Sequence, residues 1–180
     1  MQEMFRRHKL VFISVTTVIV SVILDLVTKQ LIIDTLPLYS RTELIDGFIN
    51  IVHAKNYGSA FSFLHDAPTW FRKPFFIIIP LLAMGLIVAI MIKGKHSVMN
   101  LIAFSLILSG ALGNLISRIF YGFVTDFIDV QITSTYHWPT FNVADIAITV
   151  GVIIIFLDMM KLEIKKKKQQ KNKKPKRKKK

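Results

Sequence analysis

Cysteine is absent from the 180 residues. Disulfides, thiol nucleophiles and cysteine-based metal sites are thereby excluded, as is a protein anchored through its own acylated cysteine. Histidine is sparse and poorly spaced for a metal. His53, His65 and His137 share no H-x-x-x-H pattern, and His8 and His96 fall in segments on the other side of a membrane, by the charge argument below. No metal and no cofactor are expected. Acid is scarce too: eleven Asp and Glu stand against 24 Lys and Arg, a net charge of +13. Spread over the chain, that excess would suggest nucleic acid. It is not spread. Residues 165–180 hold eleven Lys and one Arg, leaving twelve basic and eleven acidic residues in the body. No nucleic-acid partner is expected. The basic run would meet anionic lipid headgroups at about 1 kcal/mol per residue near the surface, or would simply be solvated.

Apolar side chains are abundant. They make up 52% of the chain, with a mean hydropathy of +0.48, which indicates several membrane spans rather than a soluble domain. Residues 10–33 form the first expected span. It opens like a secretory signal peptide, with Arg6, Arg7 and Lys9 ahead of an apolar run. Yet Asp25-Leu26-Val27-Thr28-Lys29 stands where a small-x-small cleavage site would be, and the run resumes at Leu31. Further spans are expected at about residues 75–92, 98–120 and 143–160. The long segment between the first two should hold a strand at Phe48, Ile49, Ile51 and Val52 and a turn at Asn56-Tyr57-Gly58-Ser59. A return strand at Ala60-Phe61-Ser62-Phe63 should come after the turn, then an interfacial stretch around Trp70. Residues 121–140 read as a loop. Residues 1–164 are expected to form one integral-membrane domain, and residues 165–180 a disordered polybasic cytoplasmic tail.

Basic residues in short loops orient the spans. Arg6, Arg7, Lys9, Lys93, Lys95 and the tail all fall on one side of a four-span chain, and that side is expected to be cytoplasmic. Asp25, Lys29, Asn114, Arg118, Asp126, Asn142 and Asp145 then share one depth, near the outer leaflet boundary, with Asn56 in an outer loop that can reach them. Asp126 lies in Val124-Thr125-Asp126-Phe127. Asp145 lies in Phe141-Asn142-Val143-Ala144-Asp145, at the head of an apolar run. One reading is structural: Asn142 caps a helix, Asp145 sits in its first turn, and Asp126 makes a loop turn. The other is chemical. Two carboxylates held close cannot both ionise cheaply, so the pair carries one proton over a broad pH range. The ionised member can take a proton from water while the protonated one donates to a carbonyl oxygen, which is amide hydrolysis by an aspartic protease.

These pieces, in this order, resemble the bacterial lipoprotein signal peptidases, signal peptidase II. The resemblance covers nearly the whole chain before the tail. It rests on Asp25-Leu26-Val27-Thr28-Lys29, Asn56-Tyr57-Gly58-Ser59-Ala60-Phe61, Gly110-Ala111-Leu112-Gly113-Asn114-Leu115-Ile116 with Arg118, and the two Asp motifs. It implies an all-α membrane protein of four transmembrane helices with a small extracytoplasmic β-platform and an interfacial helix. It implies an aspartic endopeptidase of the inner membrane, both termini cytoplasmic, that cleaves lipidated prolipoprotein signal peptides just before the diacylglyceryl-cysteine, and that is inhibited by the cyclic peptide globomycin. Asp126 and Asp145 match the family's catalytic pair. Asp25, Lys29, Asn56, Gly58, Gly110, Asn114, Arg118 and Asn142 match its supporting positions. The chain departs from the pattern at Ser109, where the family usually has Gly, and at Ser117, where it has Asp, so Arg118 is expected to lean on another acid.

Two other function classes fit intramembrane carboxylates. A small proton- or ion-coupled transporter would use them as a relay, although no inverted repeat is visible. A non-catalytic lipid-binding or assembly factor would use the tail as its anchor. Cleavage of a lipidated precursor discriminates, since neither alternative yields a product.

Overall fold

The structure is a computed structural model that describes residues 2–58, 68–94 and 96–173. In chain order its elements are α1 (Gln2–Thr35), β1 (Arg41–Ile45), β2 (Ile49–Asn56), α2 (Thr69–Lys93), α3 (Val98–Tyr121), β3 (Val124–Val130) and α4 (Val143–Lys173). The helices contain four stretches long and apolar enough to cross a membrane: Met4–Thr35, Thr69–Lys93, Val98–Tyr121 and Val143–Gln170.

α3 is the hub, packed against α1, α2 and α4. Its start is capped by Ser97, whose hydroxyl accepts from the Asn100 N–H at 3.1 Å. Its end is set by Gly122 at φ 78°, a left-handed cap whose N–H donates to the Arg118 carbonyl. Along α1, Asp25, Lys29 and Ile32 are buried. That four-then-three spacing is one helical stripe, turned inward. Most of the remaining surface of α1, and of α2, is apolar and exposed, as with Phe12, Val20, Leu82 and Leu86. Such a surface suits lipid.

Small residues let α3 and α4 approach closely. A side chain added at Gly110 would place its Cβ 2.3 Å from the Ala144 carbonyl oxygen, and one at Gly151 would meet the Ala103 carbonyl oxygen at 2.6 Å. Neither neighbour is a flexible side-chain tip, so the helices would have to part.

The strands form one antiparallel sheet in the order β1-β2-β3. Ala54 pairs with Asp126, and Asn56 with Val124. Asn56 is two residues beyond the direct partner of Asp126, so both side chains project from one face. Asn50 pairs with Asp129. Asp129 is three residues past Asp126 and so projects from the opposite face.

Several boundaries differ from the sequence-based expectations. Residues 121–140 are not all loop: Val124-Thr125-Asp126-Phe127-Ile128-Asp129-Val130 is β3, so Asp126 stands on a strand rather than in a turn. The stretch around Trp70 is the first turns of α2 itself, and the described residues hold no separate interfacial helix. The expected return strand at residues 60–63 lies outside the described residues. The tail is helical through Lys173, where disorder was expected. Lys, Glu and Gln are good helix formers, Glu163 pairs with Lys167 at 3.0 Å, and cations suit a helix C-terminus.

Candidate active site

Phe141 accounts for the meeting of Asp126 and Asp145 across nineteen positions. Its carbonyl accepts from the N–H groups of Phe127 (3.0 Å) and Ile128 (2.8 Å), and its own N–H donates to the Ile128 carbonyl (3.1 Å). The start of α4 is thereby stitched to β3. The next residue, Asn142, is fully buried and caps α4: its Oδ1 accepts from the Asp145 N–H at 3.1 Å. In return Asp145 Oδ2 accepts from the Asn142 N–H at 3.1 Å, a reciprocal cap. The amide of Asn142 then has its Nδ2 left over, which donates to Asp126 Oδ1 at 2.7 Å. One asparagine thus touches both carboxylates. The structural and chemical readings of this motif coexist.

Two more asparagines are oriented in the same way. Asn56 Oδ1 accepts from the Gly58 N–H at 3.0 Å, so its Nδ2 is free to donate to Asp126 Oδ2 at 2.9 Å. Asn114 Oδ1 accepts from Lys29 Nζ at 2.8 Å, and its Nδ2 donates to Asp145 Oδ1 at 2.9 Å. An ammonium can only donate, so Lys29 fixes which way Asn114 faces. Lys29 also pairs with Asp25 at 2.7 Å, both groups being buried. Asp25 Oδ1 accepts from the Ala144 N–H at 2.9 Å, a free donor of the first turn of α4. A chain of contacts therefore runs from α1 through α3 to the head of α4.

Asp126 is buried, and this pushes its carboxyl up to about 6. Hydrogen bonds from Asn56 and Asn142 oppose that rise, and the Asp145 charge adds to it. Both carboxylates line one cavity of about 460 Å³, together with Asn56, Asn114 and Arg118. Its outer wall is residues 138–141, and its apolar depth is Ile146, Thr149 and Val150 on α4. Among the described residues Arg118 does not bond to an acid. Its Nη2 donates to the Gly58 carbonyl at 3.1 Å, and its guanidinium lies over the Phe76 ring at 5.3 Å. Its Nε is buried without a hydrogen-bond partner among the described residues.

The family model described as signal peptidase (SPase) II matches residues 17–161. This chain belongs to the signal peptidase II family. It is accordingly a multi-pass membrane peptidase, not a transporter or a scaffold. Proteins named lipoprotein signal peptidase are similar to it. That of Syntrophus aciditrophicus is 45% identical over 77% of this chain and 86% of its own length. That of Geobacter sulfurreducens is 46% identical over 79% and 88%. The signal peptidase II fold here also resembles two solved structures described as bacterial membrane enzymes. One has a TM-score of 0.74 at 35% identity, covering 92% of this chain and 94% of that one. The other has a TM-score of 0.73 at 34% identity, covering 82% and 92%.

Of the positions singled out from the sequence, Asp25, Lys29, Asn56, Gly58, Asn114, Arg118, Asp126, Asn142 and Asp145 lie in this network. Gly110 does not; it sits in the α3–α4 contact. Among the positions that depart from the family pattern, the Ser109 hydroxyl donates to the Leu106 carbonyl at 2.8 Å and can then accept from the Ser21 hydroxyl, 2.9 Å away. Ser117 donates back to the Gly113 carbonyl at 3.0 Å. Neither reaches Arg118. Sequence alone marks Gly113 only as a small residue for helix packing and assigns Asp129 no role. A Cβ at Gly113 would fall 2.4 Å from Asp25 Oδ2, so that glycine makes room for the carboxylate. The signal for Asp129 is the β-branched, alternating run that turns out to be β3.

Proposed function

We propose that Asp126 and Asp145 are the catalytic pair of an aspartic endopeptidase that removes the signal peptide from diacylglyceryl-modified prolipoproteins, just before the lipidated cysteine. The observation that carries the reading is the sharing of Asn142 by two carboxylates that face one cavity. Held this way, they can divide the work: one takes a proton from water as it attacks the amide, and the other protonates the carbonyl oxygen. The buried Arg118 Nε, unpartnered among the described residues, is placed to donate to the substrate backbone. Basic loop residues put both termini in the cytoplasm and the pair near the outer leaflet of the inner membrane. A cyclic amphipathic peptide of the globomycin type, with a hydroxyl set between the carboxylates, would compete with substrate.

The scissile amide must leave the signal-peptide helix, where it would be hydrogen-bonded and shielded. The diacylglyceryl group can hold it at the right height, since each buried methylene contributes roughly 0.8 kcal/mol. The test is cleavage of a purified precursor in detergent, with and without its lipid. The lipidated form should be cut and the unlipidated form barely, in kcat as well as KM. Asp126→Asn and Asp145→Asn should each lower kcat by at least about a thousandfold while the protein still purifies as a single species. Substantial turnover by either variant would remove the pair from the mechanism.

A further inference from the structure

β3 carries a carboxylate on each face. Asp126 faces the cavity; Asp129, 2% exposed, does not line it. Asp129 instead collects donors from three separate segments. Arg41 on β1 forms an ion pair with it. Asn50 on β2, itself 1% exposed, donates to Oδ2 at 2.9 Å. His137 Nδ1, in the loop after β3, lies 3.1 and 3.0 Å from its two oxygens, and 3.0 Å from Arg41 Nη2. A buried carboxylate with this many partners is a rigid point.

His137 matters because it leads directly into the cavity wall. Trp138, Pro139, Thr140 and Phe141 are the next four residues, and all four line the cavity that holds Asp126 and Asp145. The loop is otherwise tied to the sheet by backbone bonds: at its near end His137 bridges Gln131 and the Trp138 N–H donates to the Val130 carbonyl at 2.8 Å, and at its far end Phe141 is stitched to Phe127 and Ile128, which leaves the near end as the part the cluster fixes. Trp138 is half exposed, so its own packing does not immobilise it. The Asp129 cluster therefore holds the loop at the residue where it turns toward the cavity.

The wall also has a direction. Ile146, Thr149 and Val150 run down α4 into the apolar layer, while residues 138–141 precede α4 and lie beyond its outer end. On the proposed function, on which this inference rests, the signal peptide occupies the α4 side. The first residues of the mature protein then pass the wall.

We propose that Asp129, with Arg41 and His137, is a positioning cluster that fixes the wall at residues 138–141 and so sets which residues are tolerated immediately after the lipidated cysteine. The cluster touches no reacting atom, and its effect belongs in selectivity.

The test uses two lipidated precursors that differ only in the residue after the cysteine, Ser in one and Trp in the other. Full-length wild type, Asp129→Asn and His137→Gln are compared in detergent. His137→Gln lies on a surface loop and guards against a folding failure of the Asp129 variant. The expected result is a change of at least about fivefold in the ratio of kcat/KM between the two precursors, carried by KM, with kcat for the Ser precursor within about twofold of wild type. In a Trp138→Ala background, Asp129→Asn should change that ratio no further, because the cluster acts through the wall. An unchanged ratio in both variants, or an equal loss on both precursors, overturns the proposal. If wild type cleaves neither lipidated precursor, the aspartic signal-peptidase function fails first, and this inference with it.

Discussion

Three asparagines decide how the two carboxylates are presented. Asn56, Asn114 and Asn142 each have the oxygen engaged by a fixed donor, so each must offer its Nδ2 to a carboxylate. An Asp at any of these positions would put a third carboxylate against the pair, and Asn114→Asp should abolish turnover. Asp126 also sets a pH dependence. Its carboxyl is raised from 3.8 to about 6, chiefly by burial. In the free enzyme the singly protonated pair is lost as pH rises through about 6, so kcat/KM should fall there. A bound substrate adds burial, so the same limb in kcat should lie higher. A kcat/KM that instead climbs through pH 6 would contradict this assignment of the proton. Stability should depend on the same group. A raised acid favours the fold while protonated, so its contribution is present below about pH 4 and lost as pH rises through about 6. It amounts to about 3 kcal/mol from the rise between 3.8 and about 6. Thermal unfolding across that window should show the decline in wild type and not in Asp126→Asn.

At the level of elements, two glycines of α3 perform different tasks. Gly110→Ala drives a methyl into the backbone of α4, and Gly113→Ala drives one into Asp25. Each should cost about 1–3 kcal/mol. Gly113→Ala should also cost activity, because Asp25 holds both Lys29 and the Ala144 N–H. Gly85 on α2 has nothing within 4 Å of an added Cβ, so Gly85→Ala should leave both melting temperature and activity near wild type. Equal effects at all three would show that the close approaches do not matter.

Local relations of this kind are the ones a sequence displays. Asp25 and Lys29 stand four apart on a helix, and Asn142 and Asp145 stand at cap spacing, so both pairs can be read directly. The expectation that the polar residues share one depth rests on the span order and the loop charges. β1 could not be anticipated, because all five of its residues are exposed, its polar and apolar residues do not alternate, and its pairing with β2 is set by tertiary context. Asp129 was hidden for a similar reason: its partners Arg41 and Asn50 are 88 and 79 positions away. Gly113 has the look of a packing residue until the carboxylate beside it is seen.

For the whole molecule, the apolar stretch Val143–Gln170 of α4 separates the tail from the carboxylates, and in the proposed topology the two lie on opposite sides of the membrane. Deleting residues 165–180 should leave detergent activity within about twofold of wild type, while association with vesicles rich in anionic lipid should weaken. Co-sedimentation and the cleavage assay measure the two separately. A large loss of detergent activity would refute the topology.

The α3–α4 contact has a kinetic consequence. With carbonyl oxygens standing where side chains would be, that flank of the cavity is shut. α2 packs on α3 and makes at most marginal contact with α1 or α4 among the described residues, so on the proposed function a signal-peptide helix would enter past α2 from the surrounding lipid. Encounter is then a search in two dimensions, governed by the mole fraction of precursor in the bilayer rather than by its bulk concentration. Adding inert lipid to proteoliposomes at fixed amounts of enzyme and precursor should slow cleavage by dilution within the plane, whereas adding buffer should not.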